Sequence, residues 1–167
     1  MKNIAILGFG REGKAVLKFL KNNPIYKDVR IEIRDKKFGN DYLRGLEKFD
    51  IIFRSPGIPY TLPEIQHAKL AGVKVSSAME LFFSAVGGSP LKARIAKSGA
   101  SGVEHSKYRN CQIIGITGTK GKSTTATLLY KILHVGRKDT YLAGNIGKPA
   151  LYLLPRLSAP ALSEAGG

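Results

Sequence analysis

A glycine-rich turn with an adjacent Lys-Ser pair occupies residues 113–124, which read IIGITGTKGKST. β-Branched residues predict a strand over Ile113–Ile116, and apolar spacing predicts a helix over Lys122–Leu133. The side chains expected on the buried side of that helix are Leu128, Leu129 and Ile132. Glycines let a backbone approach phosphate oxygens closely, and a helix N-terminus adds partial positive charge. The turn therefore predicts a site for the phosphates of a nucleoside triphosphate.

Each residue type in this turn suits one part of such a ligand. The Lys122 ammonium can reach the β- and γ-phosphates and the Ser123 hydroxyl can ligate Mg²⁺, so we assign both residues to catalysis. The turn departs from the general pattern G-x-x-x-x-G-K-[ST], because Ile116 stands at its first glycine position. The predicted ATP-binding set is Gly118, Thr119, Lys120, Gly121, Lys122, Ser123 and Thr124.

A second glycine loop, GFGREG at residues 8–13, follows an apolar strand at Ile4–Leu7 and precedes a helix. It matches G-x-G-x-x-G, which places a diphosphate at the N-terminus of the helix. Asp35 follows the next strand, about 20 residues beyond the last glycine, where a dinucleotide fold has its ribose-binding acid. The loop alone leaves a nicotinamide dinucleotide and a UDP-linked substrate open. The triphosphate-type turn favours the second, because a dehydrogenase has no use for ATP.

Strands and helices alternate through the rest of the first half. Further strands are predicted at Val29–Ile33, Ile51–Phe53 and Val73–Val75, and helices after Pro63 and over Ala78–Phe83. The pattern indicates an α/β fold with a Rossmann-like parallel sheet, followed by the start of a P-loop-type domain. We predict a first domain at 1–83, a linker rich in Gly, Ser and basic residues at 84–111, and an incomplete ATP-binding domain at 112–167.

The composition of the chain argues against several other classes of function. The formal charge of +15 over 167 residues is spread along the chain without a basic, aromatic-interleaved helix, which favours small anionic ligands over nucleic acid. Cys111 is the single cysteine, so an internal disulfide or a cysteine metal cluster is excluded. No apolar run is long enough to span a bilayer. We expect a cytoplasmic monomer without membrane association.

Taken together, the motifs resemble the Mur ligase family, and within it the D-glutamate-adding branch. The similar segments are ILGFGREGKAVLKFL, SPGIP, AMELF, GITGTKGKSTTATLLYKIL and YLAGNIGKPAL, in that order. GTKGKST and GNIG are typical of the Mur and folylpolyglutamate ligases, whereas GFGREGKA and SPGIP indicate the D-glutamate branch. The resemblance covers residues 1–83 and 112–154.

This resemblance implies a reaction and a set of ligands. The reaction is ATP-dependent addition of D-glutamate to UDP-N-acetylmuramoyl-L-alanine through an acyl phosphate, with Mg²⁺. The implied UDP-substrate-binding residues are Gly10, Arg11, Glu12, Gly13, Asp35, Lys36, Ser55, Gly57 and Asn145. Asp35, Lys36 and Lys37 stand where the family has an Asp-Thr-Arg segment, and the two lysines depart from that pattern.

Two regions depart from the family. The stretch at 84–112 is longer than the usual connection, and SAPALSEAGG stands at 158–167 in place of a strand bearing a Mg²⁺-binding glutamate, so Glu164 receives no such role. We therefore expect an incomplete form of the ligase with doubtful activity by itself. A nicotinamide-binding module and a non-catalytic nucleotide-binding remnant stay open as alternatives.

Overall fold

The computed structural model describes residues 1–86, 112–136 and 139–157. The chain divides into two compact units, Met1–Ser84 and Ala85–Gly167. Most of the predicted linker, residues 87–111, and the segment 158–167 lie outside the described residues. The three predicted domain ranges therefore stay predictions.

The first unit contains a four-stranded sheet in which every strand runs parallel to its neighbours. Its strands are β1 (Lys2–Leu7), β2 (Val29–Arg34), β3 (Ile51–Arg54) and β4 (Lys74–Ser76), in the order β2-β1-β3-β4. Central β1 is fully buried from Ile4 to Leu7, as expected for a parallel strand covered on both faces. The α/β class with a parallel sheet, predicted from the alternating pattern, is confirmed.

Three helices connect or follow these strands: α1 (Arg11–Asn22), α2 (Pro63–Leu70) and α3 (Ala78–Ala85). Helix α1 buries Gly13, Ala15, Val16 and Leu20, whose spacing places them on one side of the helix. At the start of α3 the Ser77 hydroxyl accepts the backbone N–H of Glu80 at 3.1 Å. Short 3-10 turns lie at Pro24–Tyr26, Lys36–Phe38 and Leu46–Lys48.

One face of the sheet packs against α2 and the turn that precedes β3. Apolar side chains from both meet Leu7 of β1 and Ile52 of β3. The buried members of this cluster outside the strands are Leu46, Phe49, Ile65, Ala68 and Val73. This core stabilises the sheet. The carboxyl ends of the strands, and the loops that follow them, therefore have defined positions.

The second unit contains helix α4 (Lys122–Gly136), a 3-10 turn at Ala150–Leu153 and the short helix α5 (Leu154–Leu157). The predicted helix is present, but the predicted strand at Ile113–Ile116 is wrong: no strand is assigned there. A strand needs hydrogen bonds to a neighbouring strand, and within the ranges described for this unit none pairs with the segment.

The predicted burial of the α4 apolar side is also wrong. Leu128 is 58% exposed and Ile132 is 62% exposed, and Leu129 is only partly buried. An amphipathic helix needs a sheet or another helix to cover its apolar stripe. Since the segment before α4 joins no sheet in the described part of this unit, nothing there provides that surface.

Among the residues described, no helix has both the length and the apolar character needed to cross a membrane.

Candidate functional site

The glycine loop at the carboxyl end of β1 owes its shape to two close approaches. Gly8 has φ +90° and its N–H donates to the carbonyl of Arg34 at 2.7 Å, which ties the loop to the end of β2. A Cβ atom at Gly13 would lie 2.1 Å from the carbonyl oxygen of Gly8. Gly10 differs from both, because a Cβ atom there would meet nothing within 4 Å. The first and third glycines are thus required by packing, and the middle one borders open space.

Ser55 holds the same loop from the β3 side. Its backbone N–H donates to the carbonyl of Leu7 at 2.9 Å, and its hydroxyl donates to the carbonyl of Gly8 at 2.9 Å. A Cβ atom at Gly8 would lie 2.8 Å from the Cβ of Ser55, which leaves no room for a side chain. Ser55, predicted from the SPGIP motif, therefore contacts the first glycine of the loop directly.

Asp35 holds the loop from the β2 side. Its Oδ2 accepts the backbone N–H of Phe9 at 2.5 Å, and its Oδ1 accepts the N–H of Lys37 at 2.9 Å at the start of the Lys36–Phe38 turn. The N–H of Phe9, and then that of Lys37, stabilise the carboxylate and hold the pKa of Asp35 below its usual value. The two oxygens thus join the loop after β1 to the turn after β2.

Arg54 is a site residue that sequence reasoning missed. Its guanidinium donates to the carbonyl of Ser55 at 3.2 Å and to that of Ile58, and its Cζ lies 5.6 Å from the ring centroid of Tyr60. These contacts hold the SPGIP loop, whose Gly57 is exposed. No sequence motif predicts an arginine whose role is to bond backbone carbonyls. The one signal in the sequence was the position of Arg54 at the end of a predicted strand.

A shallow cleft of about 240 Å³ lies beside Asp35. Gly39, Asp41 and Tyr42 are among the residues that line it, with the end of β2 as its floor. Lys36, predicted as a substrate contact, is exposed on the adjoining turn. The cleft therefore offers polar and aromatic contacts next to the carboxylate that the sequence associates with a ribose.

The start of α1 is suited to an anion. The helix N-terminus carries partial positive charge, and its exposed face bears the cations Arg11, Lys14, Lys18 and Lys21. Like charges three or four residues apart on a helix repel each other, and a bound anion would reduce that repulsion. Burial raises the pKa of Glu12, while Arg11 partly lowers it.

The predicted residues of the first unit thus converge at one edge of the sheet. Loops after β1, β2 and β3 carry Gly10–Gly13, Asp35 and Ser55. β1 lies between β2 and β3, so successive strands are added on opposite sides of β1, and ligands of doubly wound sheets bind at such a switch point. This order differs from 3-2-1-4, the order of dinucleotide-binding sheets.

The turn before α4 has the backbone of an anion-binding loop. Gly118 has φ +148° and Gly121 has φ +77°, conformations that favour glycine, and α4 begins at Lys122. The Lys122 ammonium folds back to donate to the carbonyls of Gly118 and, at 3.1 Å, of Thr119. Ser123 is exposed in the first turn of the helix. The turn thus combines a helix N-terminus, a cation and a hydroxyl.

Asn145 lies in a small closed loop of the second unit. A bridge pairs Ala143 with Lys148, and the N–H of Gly144 donates to the carbonyl of Lys148 at 3.1 Å. The left-handed conformations in this loop fall on Gly144 and Gly147, which leaves Asn145 in ordinary backbone geometry and exposed. Its predicted role as a substrate contact stays a prediction.

The sequence of the chain is similar to those of known ligases. Proteins named UDP-N-acetylmuramoylalanine–D-glutamate ligase match it, among them those of Clostridium novyi (30% identical over 164 residues) and Acetivibrio thermocellus (32% over 166 residues). The match covers 89% and 90% of this chain, and the chain spans 31% of each relative's length. No protein-family model matches. The resemblance to Mur ligases predicted from the motifs is confirmed by this similarity.

Proposed function

We propose that this chain, a relative of the Mur ligases, supplies the UDP-precursor site and the ATP-phosphate site of an ATP-dependent D-glutamate ligase. The observation that carries the proposal is the glycine loop at the switch point of the sheet, held by Asp35 on one side and Ser55 on the other. A loop held in this way suits a diphosphate, because the loop is already ordered and its ordering does not reduce the binding free energy.

The UDP moiety would lie across the carboxyl ends of β1, β2 and β3. Its diphosphate would meet the start of α1, where Arg11 adds positive charge and Gly10 leaves the backbone open to close approach. The nucleoside would lie on the side of Asp35 and Lys36, where the cleft opens. Ser55 and Gly57 would border it from the third loop, and Gly13 and Glu12 would shape the helix start.

The phosphates of ATP would bind at the turn before α4. The donor set fits, since Lys122 is a cation at a helix N-terminus preceded by two glycines with positive φ. To reach a phosphate, the ammonium would exchange its carbonyl contacts with Gly118 and Thr119 for phosphate oxygens. The Ser123 hydroxyl would ligate Mg²⁺, which would neutralise phosphate charge.

The proposed reaction forms an amide in two steps. The terminal carboxylate of UDP-N-acetylmuramoyl-L-alanine attacks the γ-phosphorus, the bond to ADP breaks, and an acyl phosphate results. The amine of D-glutamate then attacks the acyl carbon, and inorganic phosphate leaves while the nitrogen loses a proton. The residues of this chain contribute positioning and charge neutralisation.

Calorimetric titration of the full chain tests the UDP-precursor site. UDP-N-acetylmuramoyl-L-alanine should bind saturably, and NADH should not, because the strand order is not that of a dinucleotide-binding sheet. Gly10→Leu should weaken the binding by about tenfold or more, since a side chain there would enter the proposed ligand space, and should lower the melting temperature only slightly, through the less favourable helix N-cap.

Ala71→Leu is the matched control, a similar enlargement at an exposed position just after α2. It should leave the affinity unchanged. Saturable binding of NADH together with no binding of the UDP-precursor would replace the proposal with the nicotinamide alternative.

A further inference from the structure

The carboxylate of Asp35 connects two segments that both border the proposed UDP site. We infer that Asp35 is a positioning residue, which sets the diphosphate loop by holding the Phe9 N–H and couples that loop to the Lys36–Phe38 turn. The inference rests on the proposed function and deepens it. It assigns to Asp35 an effect on the diphosphate, a part of the ligand that a ribose contact would not influence.

Three polar groups of the Gly8–Phe9 pair, namely its two N–H groups and the Gly8 carbonyl, bond to residues at the ends of the neighbouring strands. The N–H of Gly8 donates to the Arg34 carbonyl, and the Gly8 carbonyl accepts the hydroxyl of Ser55. The N–H of Phe9 is the one group in this pair that is held by a charged side chain, that of Asp35. Gly10 follows directly and its carbonyl accepts the first helical N–H, that of Lys14, at 3.0 Å. The start of α1 is therefore placed relative to the sheet through these contacts.

A carboxylate is the side-chain group that suits this position. It accepts hydrogen bonds at both oxygens, as Asp35 does with the N–H groups of Phe9 and Lys37. An asparagine has one oxygen and one NH₂, and the NH₂ would face one of these two donors. Hydrogen bonds to a charged acceptor are also stronger than neutral ones. Asp35→Asn should therefore break one link while changing the shape very little.

Coupling of the two segments follows from the shared carboxylate. The turn at Lys36–Phe38 borders the cleft on the nucleoside side, and the Phe9 N–H belongs to the diphosphate loop. Movement of either segment shifts the carboxylate that holds the other. The affinity for a diphosphate that carries no nucleoside should therefore still depend on Asp35.

Nuclear magnetic resonance titration of the full chain separates positioning from ribose contact. The probes are inorganic pyrophosphate, which has no ribose, uridine, which has no phosphate, and UDP. Asp35→Asn should weaken pyrophosphate binding by about tenfold, the size expected for losing a charge-assisted hydrogen bond. The Phe9 amide proton should also shift upfield and exchange faster in that variant. Asp28→Asn, at an exposed carboxylate just before β2 and so at the opposite end of that strand from Asp35, is the matched control and should leave pyrophosphate binding unchanged.

Each other outcome has a defined meaning. If Asp35→Asn weakens uridine binding but keeps pyrophosphate affinity within about twofold, Asp35 is a ribose contact alone, and the inference fails while the proposed function stands. If the wild-type chain binds neither UDP nor pyrophosphate, both fail. If the variant does not fold, titration of the wild-type chain tests the coupling. Pyrophosphate must then shift the amide resonance of Lys37 together with that of Phe9. An unchanged Lys37 resonance would overturn the coupling.

Discussion

A Cβ atom on Gly13 would lie 2.1 Å from the carbonyl oxygen of Gly8 and 3.2 Å from the Cγ2 of Ile6. The third glycine of the loop therefore lets α1 approach β1. In a helix, alanine ordinarily stabilises by up to about 1 kcal/mol relative to glycine. Here the contact is with backbone, which cannot move without shifting the whole loop.

Gly13→Ala should consequently lower the free energy of unfolding by about 1–3 kcal/mol, the usual cost of overpacking. Urea denaturation followed by circular dichroism measures this. Gly10→Ala is the matched control, since Gly10 has φ −79° and open space at its Cβ position. It should cost at most about 1 kcal/mol, the usual effect of placing alanine at a helix N-cap, and less than Gly13→Ala. Equal losses in the two variants would mean that the helix does not approach the strand as closely as described.

Ser55→Ala removes the hydroxyl that donates to the Gly8 carbonyl. The expected loss is about 0.5–1.5 kcal/mol of unfolding free energy, the net value of one such hydrogen bond. Thr61→Ala, at an exposed hydroxyl further along the same connection, serves as the control. A loss at Thr61 as large as that at Ser55 would show that the Ser55 contact has no special part in holding the loop.

The lowered pKa of Asp35 makes part of the stability depend on pH. A carboxyl with a depressed folded-state pKa stabilises the fold fully above its unfolded pKa of about 3.9, and this contribution disappears as pH falls through the folded value. Asp35→Asn lacks the contribution and should be less stable at pH 7 by about 1 kcal/mol, the usual net value of one hydrogen bond, because its amide keeps only one of the two acceptor oxygens. Urea titrations from pH 7 to pH 3 should show the difference from wild type shrinking at the acid end. A constant difference would contradict the hydrogen-bond cause.

Lys122→Met should weaken binding of ATP with Mg²⁺ by about 10–100-fold, because charge-assisted hydrogen bonds contribute roughly 1.5–3 kcal/mol. The control is Lys131→Met, an exposed lysine on α4 well past the phosphate turn. Calorimetry or competition with a fluorescent ATP analogue measures both. Equal affinities for the two variants would remove Lys122 from the proposed phosphate site.

The first unit was largely predictable because its signals are local. The apolar run of β1, the glycines at 8, 10 and 13, and the alternation of strands and helices are all visible along the chain. The contacts that hold the site cannot be read along the chain. Asp35 bonds to Phe9, 26 positions away, and Arg54 bonds to carbonyls of the loop that follows it. Such contacts depend on which strands become neighbours in the sheet.

The second unit was predicted less well for a related reason. The glycines at 118 and 121 and the helix beginning at Lys122 follow from turn and capping chemistry, which is local. A strand at Ile113–Ile116 and a buried Leu128 depend on partners elsewhere, and the described residues of this unit do not provide them. Apolar periodicity shows which side of a helix could be covered, but not what covers it.

The proposed binding of a UDP-linked diphosphate by the loop after β1 underlies the other assignments. Titration of the isotope-labelled full chain with UDP, followed at each backbone amide, tests it most directly. We expect saturable shifts centred on Phe9, Gly10 and Arg11, with smaller ones at Ser55 and Lys37 where the neighbouring strands hold the loop. Saturable UDP binding that leaves the amides of Phe9, Gly10 and Arg11 unmoved, or no UDP binding at all, would contradict it.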